Sequence, residues 1–326
     1  MAMKALLCTR LGGPDDLEVQ DVADPVPGPG EAVVRVEAAA LNFFDTLIIA
    51  GKYQMKPALP FSPAAEFAGI VEATAPGVTA VAPGDRVAGY MGYGAARERV
   101  AVAVEKLVPV PAGLDANRAA GAVVTYGTAY YALKDRAALA PSETLTVLGA
   151  SGGVGLAAVE LGKIMGARVI AGASSVEKLD FARAHGADEV VNYGAEDLRG
   201  ALRRLSGEHG IDVVFDPVGG GYAEAAVRSL AWQGRFLVIG FATGDIPQLP
   251  LNLVLLKGCD IRGVYWGSWA TRAPQAHRAN TTELLAWCAS GKLSAHVHAA
   301  YPLARAGEAL RALKDRAVMG KVVLNP

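Results

Sequence analysis

The sequence predicts an α/β protein in two parts, a β-rich portion followed by a doubly wound parallel sheet. Three observations carry this. Up to about residue 120, short apolar stretches alternate with turn residues, the rhythm of a β-rich domain. From Glu143 the rhythm changes to strand, helix, strand, which means parallel strands joined by crossover helices. The change falls at Thr146-Val147-Leu148, an apolar β-branched run that enters a glycine-rich turn and then a helical pattern.

In chain order, Lys4–Cys8 reads as a strand, and Asp24–Gly30, with three prolines and two glycines, must be a loop. Glu31–Ala39 alternates apolar and polar residues and reads as a half-buried strand. Leu41–Gly51 reads as a short helix with Asn42 at its N-cap and Gly51 at its end. Glu66–Ala73 is the next strand. Val81–Val87 turns into another through Pro83-Gly84, and 109–114 reads as a linker. A helical pattern covers Ala116–Leu139, broken by Gly121 and Gly127. The second part then has strands at Arg168–Gly172, Val190-Val191, Ile211–Phe215, Arg235–Ile239 and Asp260–Tyr265. Its helices fall at Val176–His185, Asp197–Leu205 and Tyr222–Leu230. The tail mixes helices at Ala276–Ser290 and Ala304–Lys314 with strands at His296–Ala300 and Lys321–Leu324.

The 326 residues suffice for about two domains. Hydrophobic residues make up 52% and charged residues 19%, which excludes a disordered chain. Thirty-one basic and 32 acidic residues leave a net charge of −1, with no basic face for nucleic acid or an anionic membrane. No apolar stretch reaches the ~18 residues of a membrane span, and Ala5–Cys8 is too short for a signal core. Cys8, Cys259 and Cys288 are scattered, against both a disulfide framework and a cysteine zinc site. A soluble cytoplasmic enzyme is the most economical reading.

Ala150, Gly152 and Gly155 match G-x-G-x-x-G with alanine in the first place. Strand, glycine turn and helix form the context of a dinucleotide fingerprint. Gly152 would let the backbone approach a pyrophosphate, Gly155 would let the helix pack on the strand, and the helix N-terminus would face the phosphates. Ser151, Gly153 and Val154 complete the turn. The same stretch is also G-x-S-x-G around Ser151, the nucleophile elbow of hydrolases, with Asp216 and His296 or His298 following in the right order. A plain chain reversal is the third reading. The layout favours the dinucleotide, because a fresh βαβ series opens at the turn after a long β-rich region.

Leu41-Asn42-Phe43-Phe44-Asp45, Gly51-Lys52-Tyr53, Glu66-Phe67-Ala68-Gly69-Ile70-Val71, Pro83–Val87, Gly149–Gly155, Asp216–Gly220 and Gly320–Leu324 together resemble the medium-chain dehydrogenase/reductase superfamily. The resemblance is to its zinc-free quinone oxidoreductase branch, the zeta-crystallin-like proteins, and covers nearly the whole chain. Ala64-Ala65 before Glu66 departs from the Gly that many relatives carry. The resemblance implies a GroES-like catalytic domain at 1–120 and 267–326, a Rossmann NADP-binding domain at 121–266, and an active site in the cleft between them. Zinc-dependent relatives place a Cys where this chain has Asn42 or Phe43, and four close cysteines in a structural lobe; neither is present. Without a Lewis acid, hydrogen-bond donors alone must polarise the substrate, which suits quinones and activated enones.

An NAD enzyme needs an acidic residue about 20 residues after the fingerprint. Gly172-Ala173-Ser174-Ser175 stands there instead, with Lys178 one turn on. Two hydroxyls and an ammonium suit the 2′-phosphate of NADPH; Ser174 or Ser175 can also be an N-cap and Lys178 a solvated charge. By resemblance Tyr193 lies near the adenosine end, Thr128 under the nicotinamide, and Val264 and Trp266 by its carboxamide. Phe241 follows the fifth strand, where open sheets bind ligands. Tyr193 and Trp266 could equally be packing residues. Asn42 and Tyr53 sit on the cleft side in the family and are the catalytic candidates; a helix N-cap and a loop aromatic packing on Pro57 and Pro60 are their plain alternatives. Asp45 is expected to be structural. His296-x-His298 places two histidines on one side of a strand, read as an exposed polar face and not a metal pair. The expected function is NADPH-dependent reduction of a quinone, with reduction of α,β-unsaturated carbonyls as the alternative. A Ser151 hydrolase and a non-enzymatic NADPH-binding protein are the remote ones. Asp260–Tyr265 as an outer strand needs cover, so a homodimer is expected.

Overall fold

A computed structural model describes residues 2–326 of the chain. These divide into two compact units, one running through Gly127 and resumed at Trp269–Pro326, the other Thr128–Ser268.

The first unit is built on β1 (Ala2–Cys8), β2 (Leu17–Ala23), β3 (Glu31–Leu41), α1 (Phe43–Ile49), β4 (Glu66–Thr74), β5 (Arg86–Tyr90), β6 (Arg99–Ala103) and β7 (Leu107–Pro109). Strands β1 and β2 form an antiparallel ribbon. Strands β3, β4, β5 and β7 belong to a seven-stranded sheet, with β6 also paired to β3. Its core gathers Leu41, Phe67, Leu107 and the end of the chain. Helix α2 (Ala116–Tyr130) follows.

The sequence pattern breaks this helix at Gly121 and Gly127, but α2 runs unbroken to Tyr130 and continues as wider π-type turns over Tyr131–Arg136. Gly121 keeps helical backbone and faces the stem of Lys321 at ordinary contact distance. A Cβ built on it meets the Lys321 stem at 3.4 Å. The helix therefore also runs through the domain boundary expected at residue 121.

The second unit contains β8 (Thr144–Leu148), α3 (Gly153–Ile164), β9 (Arg168–Ala173), α4 (Val176–Ala184), β10 (Glu189–Asn192), α5 (Leu198–Ser206), β11 (Ile211–Asp216), α6 (Tyr222–Arg228), β12 (Leu230–Val238), α7 (Leu251–Lys257), β13 (Asp260–Gly263) and the start of α8 (Trp266–Arg272). Its six strands lie in the order β10-β9-β8-β11-β12-β13, all parallel. Every residue of β8 is buried, as its unbroken apolar run requires. Several elements differ from expectation, and the sequence pattern marks no helix at α7. The helix expected to reach Leu230 ends at Arg228, since Leu230 opens a longer β12. The last strand ends at Gly263, short of Tyr265.

The chain closes with α9 (Pro274–Ala289), β14 (Val297–Pro302), α10 (Ala306–Lys314) and β15 (Lys321–Asn325). Strand β15 enters the large sheet between β14 and β3, antiparallel to β3.

Candidate functional site

In the second unit the chain leaves β8 through Gly149 at φ +61°, so the tight turn belongs to Gly149 and not to Ala150, which is fully buried. The two remaining glycines have different local reasons. Gly152 is the N-cap of α3 in extended conformation, and a Cβ on it would meet only the Gly149 carbonyl at an ordinary 3.5 Å. A Cβ on Gly155 would lie 2.2 Å from the Gly149 oxygen, so helix and strand could not approach as they do. Gly152, Gly153 and Val154 are partly exposed, whereas Ser151 is 5% exposed. The first-turn N–H groups of α3 cannot be satisfied within the helix, and the dipole adds positive potential there.

Beside this turn lie the ends of β9 and β10. Ser175 caps α4, its Oγ accepting from the Lys178 N–H at 3.4 Å. Ser174 is exposed and Lys178 partly so. Tyr193 follows β10, donates its N–H to the Ala173 carbonyl, and packs its ring 4.6 Å from that of Tyr222. The next residue, Gly194, passes so near Ser174 that a Cβ on it would lie 2.8 Å from the Ser174 carbonyl. Ser174, Ser175, Lys178 and Tyr193 thus form one neighbourhood.

On the other flank of the turn, Asp216 ends β11. Its Oδ1 accepts from the N–H groups of Val218 and Gly219 at 2.7 and 2.9 Å, and burial pushes its carboxyl up. These contacts bend the Pro217–Gly220 segment so that Val218 fills the space over Gly149, 2.9 Å from a Cβ built there. Phe241 stands against Gly219 and is 36% exposed. Val264 donates to the Val238 carbonyl and is buried, as is Trp266 at 4% exposure. Thr128 is partly buried near the end of α2.

The polar centre of the first unit is buried. Asn42 starts α1, but its side chain turns away from the helix. Its Nδ2 donates to Glu66 Oε1 at 2.8 Å, and its Oδ1 accepts from Lys321 Nζ at 2.7 Å. Lys321 also donates to Glu66 Oε1 at 2.8 Å and to the Leu41 carbonyl at 2.7 Å. The other Glu66 oxygen accepts from the Val124 N–H at 2.5 Å. Glu66, Lys321 and Asn42 are 0%, 4% and 7% exposed. Asn42 stands at the N-cap of α1 as expected, and Asp45 in the first turn reaches back to it. The Asp45 carboxylate accepts from the N–H groups of Asn42 and Ala64 at 2.7 and 3.1 Å. Burial raises the Asp45 pKa to about 7 against the pull of those donors and of Lys321. Tyr53 is partly buried, packs on the domain core, and stacks on Phe44 with centroids 5.5 Å apart.

Glu66 and Lys321 are the site-forming residues that sequence reasoning did not single out for chemistry. The available signal was Lys321 itself, an ammonium at the head of an apolar Val-Val-Leu run that a buried strand would enclose.

Family models match two parts of the chain: the alcohol dehydrogenase GroES-like domain over residues 28–112, and the zinc-binding dehydrogenase model over 153–287. Rat quinone oxidoreductase-like protein 2 is 37% identical over 323 residues, covering 99% of this chain and 92% of the relative. The chain belongs to the medium-chain dehydrogenase/reductase superfamily, in its zinc-free quinone oxidoreductase branch. A quinone oxidoreductase of Pseudomonas aeruginosa is 35% identical over 325 residues, 99% of both chains. The structure of Escherichia coli quinone oxidoreductase complexed with NADPH superposes with a TM-score of 0.92 at 29% identity, covering 100% of this chain and 99% of that one. The fold is therefore the superfamily's mixed α/β fold, a β-rich GroES-like domain with a parallel-sheet Rossmann domain. One matching model is named for zinc, and the residues here do not fit that metal. Among the described residues no three His, Cys, Asp or Glu side chains group as ligands, the three cysteines are buried apart, and the Asn42–Glu66 pair already carries an ammonium.

Proposed function

We propose that this oxidoreductase binds NADPH and transfers hydride to a quinone without a metal. The observation that carries the reading is the convergence at one end of the parallel sheet of the Gly149–Gly155 turn with Ser174, Ser175 and Lys178, where two serines and not a carboxylate directly follow β9. A carboxylate there would repel a 2′-phosphate, whereas hydroxyls and an ammonium attract it. The residues fit the cofactor. Gly152 keeps its side free of a Cβ, and the N–H groups of Gly153, Val154 and Gly155 would meet the pyrophosphate. Tyr193 would border the adenosine end, and Thr128, Phe241, Val264 and Trp266 would border the nicotinamide. When bound, NADPH supplies the hydride.

The rest falls to the chain. Negative charge grows on the acceptor oxygen and must be met by hydrogen-bond donors. The Tyr53 phenol and the Asn42 amide are those donors in the first unit. Stacking on Phe44 holds the Tyr53 ring in place. Quinones need little such help because their reduced oxygens are delocalised anions; enones need more. Scattered, buried cysteines support a reducing cytoplasmic setting, and among the described residues no helix is long and apolar enough to cross a membrane.

The test is steady-state NADPH oxidation with a quinone and with a 2-alkenal, for the parent and Tyr53→Phe. The substitution should lower kcat/KM roughly 10-fold for the quinone and more for the alkenal, leaving NADPH affinity unchanged. Faster turnover of the alkenal would transfer the assignment to unsaturated carbonyls. Turnover of neither acceptor would leave only a binding role.

A further inference from the structure

The Asn42 amide is held from both ends. Lys321 donates to Oδ1 and Glu66 accepts one hydrogen from Nδ2, so the flip state is dictated by the charges around it. A primary amide has two N–H donors, and the second Nδ2 hydrogen has no acceptor among the described residues. Lys321 has spent all three of its donors, on Leu41, Asn42 and Glu66. Both Glu66 oxygens are taken as well. Every side-chain donor of the network but one is spent, and that one is a single N–H. Were the amide reversed, Nδ2 would face the ammonium and Oδ1 the carboxylate, two repulsive contacts at about 2.8 Å separation.

We infer that Lys321 is a positioning residue that acts through Asn42: with Glu66 it locks the amide so that one Nδ2–H remains for the oxygen of a carbonyl acceptor. This rests on the reductase reading for the identity of the acceptor, but not for the locking itself. The ammonium and the carboxylate touch no substrate. Their opposite charges select which end of the amide is offered, and the cationic partner on Oδ1 polarises the amide toward donation.

The experiment uses the full-length protein with asparagine side chains labelled with 15N, the Asn42 pair being assigned by its loss in Asn42→Asp. In the parent that pair should exchange slowly with solvent. In the charge-neutral variant Glu66→Gln/Lys321→Met it should exchange at least roughly 10-fold faster. An unchanged pair overturns the inference. On the kinetic side, the double variant should lose roughly 10-fold in kcat on a 2-alkenal and less on a quinone, with NADPH affinity intact. In an Asn42→Asp background it should add nothing further, because the effect runs through Asn42. Losses that add in that background, or that fall equally on both acceptors, overturn the positioning role. Should the double variant not fold, Glu66→Gln/Lys321→Gln gives the same readings with hydrogen-bonding side chains retained. A parent that reduces neither acceptor defeats the reductase reading alone, and the amide exchange then decides the locking by itself.

Discussion

Lys178 lies in the first turn of α4, its own N–H on the Ser175 cap, its side chain partly exposed next to Ser174. An ammonium there gains a charge-assisted contact with a 2′-phosphate, and such a contact contributes roughly 1.5–3 kcal/mol. Lys178→Ala should therefore weaken NADPH binding about 10- to 100-fold and leave NADH unmoved, as fluorescence titration would read. Equal affinity of the parent for both cofactors would contradict the assignment. Asp45 gives a second expectation. Burial raises its pKa to about 7, above the ordinary carboxyl value, so the folded protein holds this proton more tightly than the unfolded chain. The stability it contributes is full below about pH 4 and is lost as the pH rises through about 7. Parent minus Asp45→Asn, measured as the urea midpoint between pH 4 and 8, should fall with rising pH; a flat difference would show that Asp45 stays ionised. The sequence placed Asn42 and Asp45 together at a helix start, and the helix is there. It could not pair Asn42 with Glu66 and Lys321, because periodicity reports neighbours along an element, not partners 24 and 279 residues away.

The glycine turn separates two kinds of requirement within one element. Gly155 is demanded by packing, since any Cβ would press on the Gly149 carbonyl at 2.2 Å, while Gly152 has ordinary room at 3.5 Å and an extended backbone. Gly155→Ala should then destabilise the unit by about 1–3 kcal/mol and abolish cofactor binding with it. Gly152→Ala should keep the melting temperature of the parent, yet bind NADPH at least 10-fold more weakly, because its methyl group stands where a pyrophosphate approaches. Equal effects of the two on stability would remove the distinction. The elements most legible in the sequence were those with a strict period or a punctuating glycine, including all six strands of the parallel sheet. Those overlooked lacked such marks. Strand β2 carries mostly exposed residues, with a polar sequence Leu-Glu-Val-Gln-Asp-Val-Ala. Helix α7 has only seven residues with apolar side chains on several faces, so no stripe announces it. The glycines of α2 read as breaks because a sequence does not reveal that Gly121 faces the stem of Lys321.

At the scale of the whole molecule, the Rossmann unit leaves an apolar margin in water. Strand β13 ends the six-stranded sheet, with Asp260, Ile261 and Gly263 exposed and no strand beyond it among the described residues. Around it Leu251, Leu255 and Leu256 of α7 are 79%, 78% and 71% exposed, Trp232 is 71% and Tyr265 55%. Single exposed apolar residues are ordinary, but a cluster next to an open strand edge invites association. An identical edge related by a two-fold axis pairs antiparallel with this one and stops there, because the contact is the same patch on both copies. An open-ended assembly needs two different patches. We propose a homodimer on this edge, and its interface should include Ile261 at the strand and Leu255 on the helix. Light scattering at micromolar concentration should give twice the 33.7 kDa chain mass. Placing a charge at the edge with Ile261→Lys, together with Leu255→Glu, should shift the protein toward the monomer, since lysine on an edge strand opposes pairing. The exposed positions of both residues make loss of fold an unexpected cause, and circular dichroism would check it. A parent that scatters as 33.7 kDa across the micromolar range would mean that this margin serves some other contact.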